Sequence, residues 1–237
     1  ATPPLGGLAV FIGFFILTLY IVIMNLHSFN YPIIGYLLGA FIIIIVGIID
    51  DKFGMSPAIK LLGQALSCCV FLYTNNLFEL FGPFYLTIPI LFLWMVGLMN
   101  ALNFLDNMDG IITGMSGILA LGFYAFSFIS KTHSVAIQAN LMMLISLIFA
   151  GSVFGFLPYN FNPAKIFLGD AGSMFIGYFL STMGILAGRL AVTRMNSPIF
   201  YLLPVLLLSY AIFDISLVSF IRKRDGRKIS QGGKDHS

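Results

Sequence analysis

The chain has 237 residues, a mean hydropathy of +1.00, 59% hydrophobic residues and only 9% charged ones. A soluble domain carries about 25% charged residues, so this composition excludes one and indicates an integral membrane protein. The formal charge of +3 decides little, because in a membrane protein the placement of Lys and Arg matters more than their sum; no nucleic-acid partner is expected. Cys68 and Cys69 are adjacent within an apolar run and read as small buried hydrophobes rather than as a disulfide or metal pair.

No Asp, Glu, Lys or Arg precedes Asp50, and runs without them follow at 61–78, 80–105, 110–130, 132–164, 171–188 and 195–213. Each is near or above the ~18 residues that a membrane crossing needs. Broken at their Pro, Asn, Gly and charged residues, the runs predict eight helices, at 5–25, 33–49, 58–77, 84–101, 111–130, 137–156, 173–190 and 199–221. The expected fold class is all-α, a polytopic transmembrane helix bundle of about eight spans. It forms a single membrane domain over 1–237, with 222–237 as a basic loop. The start at Ala1 without a Met and the stop at Ser237 in a polar stretch read as trimming at both ends. Helix pairing through small residues is expected at Gly35/Gly39 and Gly172/Gly177/Gly184.

Alternate connections must lie on alternate sides. One side then receives Lys52, Lys60, Lys165, Arg222, Lys223, Arg224, Arg227, Lys228 and Lys234, while Lys131, Arg189 and Arg194 stay on the other. Nine of the twelve basic residues on one face make that face cytoplasmic by the positive-inside rule. The same parity gathers Asp50, Asp51, Asp106, Asp109 and Asp170 on the basic side, although the acids played no part in assigning it. Acids collected at one water interface of a multispan protein suggest metal and phosphate binding there.

Asp50 and Asp51 end a long apolar run as a pair. Neighbouring carboxylates repel each other unless a cation or a shared proton intervenes, which points to metal binding, base chemistry or phosphate handling; a hydrated helix end balanced by Lys52 is the plain alternative. In NALNFLDNMDG, residues 100–110, helical spacing would put Asn103, Asp106 and Asp109 on one face as a polar wall. Turn geometry explains Asn107 and Gly110 equally well, but Asn100 and Asn103 lie near membrane depth, where an unsatisfied amide is costly. In YNFNPAKIFLGDAGS, residues 159–173, Asp170 sits between glycines just before a helix. Backbone N–H groups at such a start can hold phosphate oxygens while Asp170 holds Mg²⁺; as a bare N-cap, Asp170 would need no ligand at all. Asp214, inside the eighth predicted span, is an intramembrane acid. His27 and His133 fall in connections on the far side, whereas His236 sits in the basic loop on the acidic side.

Together PPLGGLAVF (3–11), IIDDKFGMSPAIKLLGQ (48–64), NALNFLDNMDG, PYNFNPAKIFLGDAGS and GRKISQGGKDHS resemble the polyprenyl-phosphate N-acetylhexosamine-1-phosphate transferase family. This is glycosyltransferase family 4, and the resemblance is nearest to its undecaprenyl-phosphate GlcNAc-1-phosphate transferases. The resemblance implies transfer of a sugar 1-phosphate from a UDP-N-acetylhexosamine to a polyprenyl phosphate, with release of UMP. It implies a bacterial plasma-membrane location with the site facing the cytosol, and a homodimer at family level. Carried over by motif, Asp170 resembles the Mg²⁺ ligand, with Mn²⁺ as an alternative ion, and Asp50, Asp51 and Asp109 resemble catalytic acids. Lys60, Asn103, Asp106, Asn160, Lys165 and His236 resemble substrate contacts. A phospho-MurNAc-pentapeptide transferase is the alternative within the family, and a metal or anion transporter the alternative outside it.

Overall fold

The structure, a computed structural model, describes residues 4–24, 31–106, 109–197 and six isolated positions between 199 and 224. Seven helices follow in chain order: α1 (Gly6–Met24), α2 (Tyr31–Phe53), α3 (Pro57–Thr74), α4 (Phe84–Leu105), α5 (Ile111–Ser130), α6 (Ala136–Asn160) and α7 (Gly169–Met195), with a short 3₁₀ turn at His133–Val135 before α6. All seven are long and apolar enough to cross a membrane, and no strand occurs among the described residues. The protein is a multi-pass membrane bundle. Most of the eighth predicted span, with Asp214, and the whole 225–237 tail with His236 lie outside the described residues.

Composition explains which helix sits in the middle. α7 is rich in Gly, Ser and Thr, and its most apolar stretch is 83% buried, against 28–56% for the other six. Lipid tails are as apolar as Leu, so helices in a bilayer gain by close contact rather than by hiding apolar surface, and small residues make that contact. α7 accordingly touches α1, α2, α4 and α5, while α2 pairs with α3 and α5 with α6. A Cβ on Gly47 of α2 would run into the backbone of Ala171, and one on Gly177 of α7 into that of Met99 on α4. Gly39 and Gly172 are equally confined, by Tyr178 and by Gly7 with Leu168, as the small-residue pattern suggests. Toward the middle of the bundle, Phe14, Phe149, Phe175 and Phe179 fill the core, with Phe149 and Phe179 stacked at 3.5 Å. The Trp94 indole N–H donates to the Ser181 carbonyl at 3.1 Å, satisfying the donor without water.

Four helix ends depart from the predicted boundaries in the same way. α2 ends at Phe53 rather than 49, α4 at Leu105 rather than 101, α6 at Asn160 rather than 156, and α7 begins at Gly169 rather than 173. Each gains one turn at the same end of the bundle. Cutting a helix at its first polar residue fails there because those residues find partners on neighbouring helices. α2 stops where Gly54 adopts φ +68° and its N–H returns to the Asp50 carbonyl at 2.9 Å. Asp50, Asp51, Asn103, Asn160 and Asp170 therefore stand on rigid helix ends rather than in loops.

Replacing Gly177 by Ala should lower the thermal stability of the detergent-solubilised protein by about 1–3 kcal/mol, because the methyl has nowhere to go. Gly151→Ala, where the new Cβ meets no atom of a neighbouring helix within 4 Å, should leave it unchanged or raise it by up to about 1 kcal/mol; paired melting curves check both.

Candidate active site

The added turns bring the polar ends of α2, α4 and α7 together beside the start of α3. Lys60, in the first turn of α3, reaches across with its ammonium 2.6 Å from Asp50 Oδ2, 3.2 Å from Asp170 Oδ2 and 3.1 Å from Asn103 Oδ1. All three N–H donors of the ammonium are thereby engaged. Asp50 also accepts the Met55 N–H at 2.7 Å through its other oxygen, closing the α2–α3 turn beneath it. Asn103 donates its amide to Asp170 Oδ1 at 2.7 Å and to Ser173 Oγ at 2.9 Å. Among the described residues, the ion pairs are these two of Lys60. The Asp170 side chain is 40% exposed against 9% for Asp50, so Asp170 is the carboxylate that a ligand can approach.

Adjacent Asp50 and Asp51 face different partners, which offsets part of their mutual repulsion. Asp51 accepts the backbone N–H groups of Asp170 at 2.8 Å and Ala171 at 3.0 Å. This corrects the expectation that the start of α7 offers its N–H groups to phosphate oxygens: the carboxylate of Asp51 already satisfies two of those donors and complements the positive end of the helix. Gly169 makes the approach feasible. It sits at φ +75°, and a Cβ there would lie 2.9 Å from Asp51 Oδ2 and 3.0 Å from the Pro4 carbonyl. The PPLGG segment also finds its purpose, since Gly6 and Gly7 donate to the carbonyls of Phe167 and Leu168 at 3.0 and 2.8 Å, seating α1 against this turn.

The polar wall expected from residues 103, 106 and 109 divides, because α4 ends at Leu105 and Gly110 takes φ +75° at the entry to α5. Asn103 joins α7. Asp106 accepts from the Gly169 N–H and lies near Asp170, Asp51 and Asp109; burial, reinforced by those three negative charges, pushes its carboxyl up to about 7. Asp109 turns instead to the 161–168 connection, accepting the Ala164 N–H at 3.0 Å and the Asn162 amide at 3.4 Å.

Asn160 is buried at 4% exposure. Its Oδ1 accepts from Thr113 Oγ1 at 2.7 Å and from the Gly110 N–H at 3.2 Å, and its amide donates to the Ile166 carbonyl at 3.1 Å. It thus ties α5, α6 and the connection together. Lys165 is exposed, and its main-chain N–H closes the connection on the Tyr159 carbonyl at 2.9 Å.

Two participants carry no role in the sequence reading. Ser173 receives the Asn103 amide. Gln64, 1% exposed, exchanges hydrogen bonds with Asn100 one turn below the Lys60 cluster. A lone amide four residues after Lys60 in an otherwise apolar span is the signal that could have found Gln64, since a buried amide needs a partner.

The sequence pattern of glycosyl transferase family 4 matches residues 33–188, two-thirds of the chain and the whole acid cluster. The chain belongs to glycosyl transferase family 4. It is 34% identical over 246 residues to the probable undecaprenyl-phosphate N-acetylglucosaminyl 1-phosphate transferase of Bacillus subtilis, an alignment covering 99% of this chain and 64% of that protein. It is 29% identical over 260 residues to the decaprenyl-phosphate N-acetylglucosaminephosphotransferase of Mycobacterium tuberculosis, with 99% and 64% covered. A phospho-N-acetylmuramoyl-pentapeptide-transferase of Staphylococcus epidermidis is 33% identical over 212 residues, covering 79% of this chain and 63% of that one. The chain thus spans just under two-thirds of the length of these relatives.

Asp106 sets a pH dependence. An ordinary Asp has a pKa near 3.8, and here it is raised to about 7, so between those values the folded state holds a proton that the unfolded state has released. The contribution of this group to stability is complete below about 4 and is lost as pH rises through about 7. Without divalent cations, melting temperature should therefore fall from pH 4 to pH 7 more steeply in the native protein than in Asp106→Asn.

Proposed function

We propose that the protein transfers N-acetylhexosamine 1-phosphate, GlcNAc 1-phosphate in the first instance, from a UDP-sugar to a polyprenyl phosphate. The observation that carries this reading is the meeting of Asp50, Lys60, Asn103 and Asp170 at a single end of a membrane bundle. A lipid phosphate arrives at such a site within the bilayer, and a nucleotide sugar from water. The names of the family relatives support the same chemistry. The N-acetylglucosaminyl relatives align over 99% of this chain and the pentapeptide transferase over 79%, which favours GlcNAc over the MurNAc-pentapeptide alternative. The bias of Lys and Arg toward the acidic end in the sequence argues that this end faces the cytosol.

The side chains fit Mg²⁺. Among the described residues no three Asp, Glu, His or Cys side chains gather as a cage, but Mg²⁺ is commonly held by one or two carboxylates and completed by water and substrate phosphates. Asp170, with Asp50 beside it, supplies that pair of hard oxygen donors. When bound, the ion would neutralise phosphate charge and polarise the reacting phosphoryl group.

The protein's own groups supply position and charge. Lys60 stands between Asp50 and the more open Asp170, and by exchanging one of its present contacts it can offer its ammonium to phosphate oxygens. Asn103 fixes the orientation of Asp170, and Asp51 fixes the start of α7 on which Asp170 rides. The lipid phosphate oxygen attacks the β-phosphorus of the UDP-sugar. One P–O bond forms as the bond to the bridging oxygen breaks, and UMP leaves with that oxygen. A phosphate monoester has a second pKa near ~6 and is mostly dianionic at neutral pH, so the acids serve to position groups more than to remove a proton.

Membranes containing the full-length protein, given UDP-GlcNAc and undecaprenyl phosphate, should release UMP in a reaction abolished by EDTA and restored by Mg²⁺. Asp170→Asn and Lys60→Gln should each lower turnover by about 10²- to 10³-fold, the scale of losing one preorganised electrostatic contact in a transition state. Full Mg²⁺-dependent activity in Asp170→Asn would overturn the assignment, and a radiolabelled covalent adduct formed from the donor alone would show a two-step route instead.

A further inference from the structure

Directly beneath the Lys60 cluster, away from water, lies a second polar layer. Gln64 and Asn100 exchange hydrogen bonds, the Asn100 amide donating to Gln64 Oε1 at 2.8 Å and the Gln64 amide to Asn100 Oδ1 at 3.4 Å. The Asn100 amide also donates to the Val96 carbonyl at 2.8 Å, and the Gln64 amide to Met174 Sδ at 3.5 Å. These residues belong to α3, α4 and α7, the three helices that also carry Lys60, Asn103 and Asp170.

The register between the two layers is regular. Gln64 follows Lys60 by four residues, Asn100 precedes Asn103 by three, and Met174 follows Asp170 by four, so each member of the lower layer lies about one helical turn from its counterpart above. Within a membrane bundle α3 and α4 could slide or rotate against each other at little cost, because lipid and protein surfaces are equally apolar. A reciprocal amide pair removes that freedom: both amides find partners at only one register, and any other would leave at least one buried amide unpaired at a substantial cost. The upper layer needs this constraint. A lysine side chain is long and rotamer-rich, and its three contacts here come from three different helices, so a small shift of α3 along α4 would separate Lys60 from Asn103 and Asp170.

We infer that Gln64 and Asn100 are positioning residues, an amide latch that holds α3 and α4 in the register at which Lys60 meets Asn103 and Asp170. The inference deepens the phosphotransfer reading above, and it assigns neither residue a contact with substrate.

The test reads Lys60 itself. In the full-length detergent-solubilised protein, reductive methylation followed by mass spectrometry compares labelling of Lys60 with that of exposed Lys165 as internal reference. In the native protein Lys60 should label far less than Lys165. Gln64→Leu and Asn100→Leu should each raise Lys60 labelling several-fold and lower the turnover number by about 10- to 100-fold, as expected for small misplacement of a reacting group. The double variant should be no worse than either single one, since both remove the same latch. Exchanging the two amides, Gln64→Asn with Asn100→Gln, should return labelling and turnover toward the native values. Should a Leu variant fail to fold, Gln64→Met keeps the side chain's length and carries the same comparison.

Unchanged Lys60 labelling in folded variants would overturn the inference, whether or not activity falls, and so would losses that simply add in the double variant. If no UMP release is found even for the native protein, the phosphotransfer reading fails, while the labelling comparison still decides whether the latch exists.

Discussion

The site depends on how several carboxylates are kept together at a membrane edge. Two unit charges 4 Å apart interact by about 4 kcal/mol at the effective dielectric of a protein surface, so Asp50, Asp51, Asp106 and Asp170 would separate if nothing opposed their repulsion. Two features oppose it. The Lys60 ammonium sits between Asp50 and Asp170, and the backbone N–H groups at the start of α7 receive Asp51. Asp106 has only the Gly169 N–H, and burial together with the neighbouring negative charges raises its affinity for a proton. Surplus negative charge, one cation already in place and an approachable carboxylate are the features on which the proposed binding of a divalent ion with phosphates rests.

The same interactions explain the architecture around the site. α7 can be central because its small residues admit α2 at Gly47 and α4 at Gly177, and that closeness brings Asp51 within reach of the α7 backbone. Gly169 belongs to the same logic, for only glycine combines φ +75° with a carboxylate at the place of a Cβ. Packing and chemistry are thus set by the same short segments, GDAGSMFIG on α7 and GIIDDK on α2.

Much of this was legible in the sequence. Long uncharged runs set the seven described spans, and crossing parity alone predicted that Asp50, Asp51, Asp106, Asp109 and Asp170 share one end, which is where the structure has them. Features that depend on partners distant in sequence were not legible. The extra turns of α2, α4, α6 and α7 could not be read because a hydropathy boundary treats Asp50 or Asn103 as exposed until a partner such as Lys60 or Asp170 is known. The capture of the α7 N–H groups by Asp51 was missed for the same reason, since an empty helix start and one filled by a side chain 119 residues away in sequence read alike. Asn160 carried a turn-rich motif and turned out to be a buried tie between α5 and α6.

The central claim is that these acids meet at one face of the membrane, and that this face is the cytosolic one. Its most direct test is labelling by a membrane-impermeant maleimide, in a background with Cys68 and Cys69 replaced by Ser, of single cysteines at exposed Phe53, Lys165 and Lys131. Positions 53 and 165 should label only in inside-out vesicles and position 131 only in intact cells. Labelling of 53 and 165 from opposite sides would contradict the account.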